Sequence, residues 1–151
     1  MKTQKNLIKS LSLIVFVLIV AVSCDKRPTA PNLLIGTWIS TYNETYIYDG
    51  KTFTSAYNGN NSYVFTVDKV IYSSDTSGII YGKYTENANL SGVVGKYYAV
   101  SFKDLTESSI SISGAYKQNG KTGTATLEEA ISEFTIDNGY FGTYSACERK
   151  Q

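Results

Sequence analysis

Histidine is missing from all 151 residues of the chain. Histidine is the commonest general base and metal ligand, and it is the usual partner of a nucleophilic serine or cysteine. After residue 24 no serine is followed three positions later by a lysine. Such a serine–lysine pair can support catalysis without histidine. Hydrolytic triads are therefore excluded, and the sequence predicts a protein that is not an enzyme and holds no cofactor or metal.

An excess of positive charge is missing as well. Without Lys2, Lys5 and Lys9 of the N-terminal segment, 11 basic residues remain against 13 acidic ones. Proteins that bind nucleic acid carry a basic surface. We therefore expect no nucleic-acid partner.

The chain does have an export signal at its N-terminus. Residues 1–10 carry three lysines and no acid, and residues 11–22 are almost entirely apolar. A helix of about 12 residues rises only ~18 Å, whereas a spanning helix must cross roughly 30 Å of hydrocarbon. Residues 1–23 are therefore predicted to be a signal peptide.

The end of this segment, Ala21-Val22-Ser23-Cys24, resembles the lipobox of bacterial lipoproteins. In that family the cysteine becomes the new N-terminus and carries acyl chains such as palmitate, which implies that Cys24 is the lipid attachment site. Two or three chains anchor a protein stably. The expected location is the bacterial cell envelope, with the outer membrane or cell surface favoured over the inner membrane. Ordinary cleavage and a freely secreted protein are the alternative.

A tether and one domain follow. Residues 24–32 contain both prolines and no apolar pattern, so we expect a lipidated cysteine and a flexible tether. Residues 33–151 suffice for one domain with a single core, which we expect to be monomeric. Cys147 then has no partner within the chain and is interpreted as a small buried residue, with pairing between chains as the alternative.

The domain has the composition of a β-protein, with 13 tyrosines and 12 glycines between short runs rich in threonine and valine. Strands are predicted over residues 33–42, 45–48, 51–55, 63–72, 79–85, 96–103, 109–116 and 140–147. Residues 126–134 instead repeat apolar side chains at helical spacing behind a Thr126/Glu129 capping box, which predicts a helix.

Two patterns predict how the strands pair and face. Asp49-Gly50 predicts a two-residue hairpin turn, which sets Tyr46 opposite Phe53 on one face. In residues 96–103 the alternation places Tyr98, Val100 and Phe102 on one face. One face of each strand is therefore expected to be core and the other wet.

Eight antiparallel strands with one helix before the last strand favour closure, because closure removes open sheet edges. The predicted fold is all-β, a single up-and-down barrel of about eight strands, with another small barrel or a sandwich as alternatives. Gly36-Thr37-Trp38 resembles the G-x-W motif of lipocalins, and the late helix falls where lipocalins have theirs. The resemblance implies that Trp38 closes one end of the barrel and that Arg149 packs across it.

The candidate ligand-binding residues are aromatic side chains expected to face the lumen: Trp38, Tyr46, Phe53, Tyr63, Phe65, Tyr98, Phe102 and Tyr116. Apolar rings with hydroxyl tips suit a small hydrophobic or amphipathic ligand. An eight-stranded barrel is also just wide enough for its own side chains to fill. The alternative is therefore a filled barrel that binds a macromolecule through its outer face or loops, as an inhibitor or adhesin does.

Overall fold

The computed structural model describes residues 30–151, so the predicted signal peptide, Cys24 and most of the tether lie outside the described residues. The elements are α1 (Ala30–Leu34), β1 (Gly36–Ser40), β2 (Glu44–Tyr48), β3 (Thr52–Tyr57), β4 (Asn60–Ser74), β5 (Ser77–Asn87), β6 (Tyr97–Lys103), β7 (Ser109–Gly114), α2 (Leu127–Glu133) and β8 (Ser145–Arg149). No helix within this range is long and apolar enough to cross a bilayer.

The strands form one closed antiparallel barrel in the order β1 to β8, and β8 pairs back onto β1. The predicted fold, an up-and-down barrel with one helix before its last strand, is confirmed. This architecture is compatible with the lipocalin-like fold. The alternation of side chains places the core inside the barrel, because successive side chains of a strand point to opposite faces.

The predicted bounds of the first and last strands are wrong. Leu33 and Leu34 belong to α1 rather than to β1. The indole Nε1 of Trp38 donates to the carbonyl of Leu34 at 3.1 Å, which ties α1 to the first strand. At the other end, Tyr140 and Phe141 precede β8 and are buried outside any strand. Tertiary packing overrides local strand propensity at both places.

The predicted register of the first hairpin is wrong by two residues, because Tyr48 and not Tyr46 lies opposite Phe53. The carboxylate of Asp49 accepts hydrogen bonds from the backbone of Lys51 and Thr52 at 2.8 and 2.7 Å, which centres the turn one residue later. A shift of two residues keeps each side chain on its face. Tyr46 and Phe53 therefore still share the inner face, with ring centroids 6.2 Å apart.

Helix α2 covers the outside of the barrel. Its cap is Thr126, whose side chain accepts from the backbone of Glu129 at 3.2 Å, as the capping box predicted. The helix packs against β5 and β6, and Tyr144 bonds Ser101 at 2.9 Å on the same side. Ala99 and Ser101 are consequently buried, so the expectation of a wet outer face is wrong for β6.

One end of the barrel is closed by Trp38 and Arg149. The guanidinium carbon of Arg149 lies 4.0 Å from the centroid of the indole, as the resemblance implied. The same guanidinium donates to the carbonyls of Glu107 at 2.7 Å, of Ile35 at 2.8 Å, and of Leu33. A Cβ on Gly36 would lie 2.2 Å from the guanidinium, so only glycine leaves room for it.

Candidate functional site

The middle of the lumen is filled by aromatic rings. The centroids of Phe53 and Phe65 lie 5.1 Å apart, and those of Tyr63 and Tyr98 lie 5.4 Å apart. Rings at such distances pack as core. The structure therefore brings together five of the predicted lumen residues: Tyr46, Phe53, Tyr63, Phe65 and Tyr98.

Two more candidates, Trp38 and Phe102, belong to the same buried core. Trp38 lies at the closed end, and Phe102 packs on Tyr72 with centroids 5.7 Å apart. Tyr116 is 77% exposed, so the expectation that it faces the lumen is wrong. Strand β7 ends at Gly114, and the backbone of Tyr116 then donates to the carbonyl of Tyr140 at 2.8 Å, at the mouth of the barrel rather than within it.

Tyr84 is an inward-facing residue that the sequence reasoning missed. Its ring stacks on Tyr98 with centroids 4.7 Å apart and planes 25° apart. Strand alternation indicates this orientation, because Tyr84 lies four residues after the buried Ile80 and therefore points to the same face of the strand. Tyr84, Tyr63 and Tyr98 together form the upper layer of the aromatic core.

A cavity of about 190 Å³ opens above this layer, at the end of the barrel opposite Trp38. We call it the cup. Its floor consists of Tyr63, Tyr84 and Tyr98. Its walls come from the β5–β6 loop and from the segment after β7, and their residues are Asn87, Asn89, Leu90, Ala115, Tyr116, Lys117, Lys121 and Thr122. Pockets for drug-sized ligands measure about 300–1,000 Å³, so the cup fits a small group only.

Gly114 makes room for two of the hydroxyls at the floor of the cup. A Cβ built on this glycine would lie 2.7 Å from the hydroxyl oxygen of Tyr98 and 3.2 Å from that of Tyr63. The two hydroxyls therefore converge beside the backbone of β7. Any larger residue at position 114 would push at least one of them away.

The floor of the cup is neutral and hydrogen-bonding. Burial raises the pKa of Tyr63 and of Tyr98 well above the ordinary value, and it raises the pKa of Tyr84 in the same direction. Desolvation disfavours the charged phenolate. All three hydroxyls thus stay protonated near neutral pH and can both donate and accept hydrogen bonds.

The rim of the cup carries two lysines, one of them paired with a glutamate, and hydrogen bonds hold it in place. The hydroxyl of Tyr140 donates to Glu133 at 2.5 Å and accepts from the backbone of Lys121 at 2.8 Å. The ammonium of Lys121 lies 3.3 Å from Glu133, and that of Lys117 lies 5.7 Å from the centroid of Tyr140. The hydrogen bond from Tyr140 lowers the pKa of Glu133, which stays ionised and fixes this side of the rim.

The two ends of the barrel differ in charge. The open-end loops, at residues 41–43, 58–59, 88–96 and 115–126, contain three lysines and no acid. They expose Tyr42, Leu90, Val94 and Tyr116, and Tyr57 is exposed beside them at the end of β3. The closed-end loops, at residues 49–51, 75–76 and 104–108, carry four acids and one lysine: Asp49, Asp75, Asp104, Glu107 and Lys51. The open end is thus the aromatic end, and its acids come from α2 and the segment after it, such as Glu133 beside Lys121.

A concavity outside the barrel and the buried thiol of Cys147 are weaker candidates for a functional site. A larger concavity of about 600 Å³ runs over the outside of β7, β8 and β1, but its lining contains no aromatic residue and lies far from the tyrosine floor. Cys147 is buried, and desolvation raises the pKa of its thiol to about 12, which leaves it inert. Across residues 30–151 there is no group of three or more acidic or cysteine side chains that could hold a metal ion.

Comparison of the chain with protein-family models, with curated proteins and with solved structures finds no match. The roles of the residues therefore rest on their geometry. Hydroxyl donors and acceptors over a packed aromatic floor, below a cationic rim, can bind and orient a small molecule.

Proposed function

We propose that this protein is a lipid-anchored, non-catalytic binding protein of the bacterial cell envelope, and that its cup takes a small amphipathic group. The observation that carries the proposal is the convergence of the Tyr63 and Tyr98 hydroxyls beside Gly114, at the floor of a cavity of about 190 Å³. The ligand enters the mouth and not the middle of the barrel, which aromatic side chains occupy.

The lining of the cup favours a ligand with an apolar ring or short chain and a neutral or anionic polar group. The apolar part packs on the rings of Tyr84 and Tyr98 and on Leu90, and the polar part meets the tyrosine hydroxyls. Lys117 and Lys121 border the cup, Glu133 pairs with Lys121 from outside it, and none of the lining residues is acidic. An anionic group is therefore favoured over a cationic one.

Anilinonaphthalene sulfonate, an apolar ring system with an anionic group, is a suitable probe, because its single phenyl ring is small enough to enter the cup while its naphthalene sulfonate lies over the lysines of the rim. The mature chain carrying Cys24→Ser should enhance its fluorescence saturably. Tyr116→Ala should weaken the binding, because Tyr116 is exposed on the wall of the cup. Tyr42→Ala, equally exposed on another open-end loop, is the matched control. Absence of saturable binding, or equal weakening by both variants, would contradict a ligand site in the cup.

The anchor is supported by the lipobox-like Ala21-Val22-Ser23-Cys24. Helix α1 begins at Ala30, six residues after Cys24. A fully extended chain of six residues spans ~20 Å at most. Because α1 belongs to the closed end, this anchor would turn the open end away from the bilayer. Cys24→Ala should release the protein from membranes and abolish labelling by radioactive palmitate. Continued sedimentation of this variant with membranes would contradict a lipid anchor.

A second candidate function is recognition of a macromolecule by the open-end loops. The observation that favours it is the exposure of Tyr42, Tyr57 and Tyr116, at 71%, 55% and 77%, on three different loops. Tyrosine, asparagine, glycine and serine dominate recognition loops, because they combine rigid contact area with adaptable hydrogen bonding. Crosslinking on intact cells that captures no partner through these loops would count against it.

A further inference from the structure

We propose that a second site at the open end, which adjoins the cup and shares only Asn89 with it, binds a neutral saccharide. We call it the amide groove. It has a volume of about 390 Å³ and lies between the β3–β4 turn and the β5–β6 loop. Its lining contains one exposed aromatic ring and four carboxamides: Tyr57, Asn58, Asn60, Asn61 and Asn89. Ser62 and Ala88 complete it. The proposal does not depend on the cup or on the lipid anchor.

The backbone around the amide groove is fixed by hydrogen bonds. The N–H of Asn58 donates to the carbonyl of Asn43 at 3.1 Å, and that of Ala88 donates to the carbonyl of Ser62 at 2.9 Å. The side chain of Asn87 accepts from the backbone of Asn89 and Leu90 at 3.0 and 2.8 Å. A rigid groove loses little conformational entropy when a ligand binds.

Turn formation explains only some of the asparagines. Asn58 has φ of 49°, a left-handed conformation that asparagine tolerates well in tight turns. Asn60 makes one long side-chain bond, at 3.4 Å, to the carbonyl of Asn58. The carboxamides of Asn61 and Asn89 make no hydrogen bond to any of residues 30–151, so the described fold does not account for them.

The chemistry of these residues matches a sugar. A carboxamide offers donors and acceptors, as each sugar hydroxyl does, so the two pair in either direction. The apolar C–H face of a pyranose can pack flat on an aromatic ring such as that of Tyr57, which is 55% exposed. An aliphatic ligand would leave the carboxamides unpaired, which is costly. None of the seven lining residues is charged, so a neutral saccharide is favoured over an anionic one.

Affinity electrophoresis tests the proposal directly. The mature chain carrying Cys24→Ser is run through native gels that contain a neutral glucan, mannan, galactan or xylan, and through gels with anionic alginate. We expect retardation in at least one neutral gel. Tyr57→Ala and Asn61→Ala should each weaken it roughly tenfold or more, which corresponds to a loss of about 1.4 kcal/mol. Circular dichroism checks that both variants fold.

Tyr116→Ala is the matched control, because Tyr116 is exposed at the same end but lines the cup. It should leave retardation unchanged, just as Tyr57→Ala should leave probe binding in the cup unchanged. Retardation in none of the neutral gels overturns the proposal, as does retardation in alginate alone. Capture of a protein partner through Tyr57 without binding to any neutral gel overturns it as well. Each of these results leaves the test of the cup untouched.

Discussion

Trp38 and Arg149 are register partners on β1 and β8, and the guanidinium of Arg149 stacks on the indole at 4.0 Å. This pair joins the first strand to the last where the barrel closes. The contact makes one end of the barrel a sealed, hydrogen-bonded structure. The cup and the amide groove both lie at the other end.

The first prediction concerns this closing pair. Arg149→Lys keeps the charge but cannot donate to three carbonyls and stack at the same time. We expect the free energy of unfolding to fall by roughly 2 to 4 kcal/mol. Urea denaturation measures it, with the exposed Lys150→Ala as the control. A loss below about 0.5 kcal/mol, typical of surface substitutions, would show that the pair does not hold the end closed.

The second prediction concerns Gly114. Gly114→Ala places a methyl group against the hydroxyls of Tyr98 and Tyr63, so it should cost about 1 to 3 kcal/mol of stability and weaken probe binding in the cup. Gly142→Ala is the matched control, because a Cβ there meets nothing within 4 Å. If both variants bind the probe as the parent does, the hydroxyls do not form the binding floor.

The third prediction is alkaline unfolding. Burial raises the pKa of Tyr46, Tyr63, Tyr84 and Tyr98 above the ordinary value of 10.0. Above pH 10 the unfolded chain therefore loses these protons while the folded chain keeps them, so stability is full below pH 10 and falls as the pH rises. Each group contributes up to about 1.4 kcal/mol per pH unit.

Cooperative unfolding should follow within a few pH units above 10, and tyrosinate absorbance and circular dichroism should change together. Tyrosinate formation that reaches completion while the native circular dichroism persists would show that these hydroxyls are not buried.

The fourth prediction concerns Cys147. In the Cys24→Ser chain its thiol is the sole thiol, and burial raises its pKa to about 12. It should not react with Ellman's reagent at pH 8 in the native state and should react fully in denaturing urea. Prompt native reaction would contradict the burial of this thiol, whereas a disulfide-linked dimer on a non-reducing gel would support pairing between chains.

The sequence predicted the barrel because side-chain alternation and turn residues are local signals. The closing contact of Trp38 with Arg149 was anticipated only through the resemblance to lipocalins. The hairpin register depends on the backbone N–H groups that donate to the Asp49 side chain. Strand periodicity does not encode these hydrogen bonds. The outward turn of Tyr116 depended on a backbone bond to Tyr140, 24 residues away. Such long-range contacts decide which aromatic residues fill the lumen and which stay at its mouth.

The central claim is that the open end of the barrel is its binding end. Titration of the isotope-labelled Cys24→Ser chain with anilinonaphthalene sulfonate, followed by amide NMR shifts, tests it most directly. The account predicts saturable shifts that cluster at Leu90, Ala115 and Tyr116, with Trp38 and Arg149 unchanged. Shifts centred on Trp38 and Arg149, or spread evenly over the outer face of β7 and β8, would contradict it.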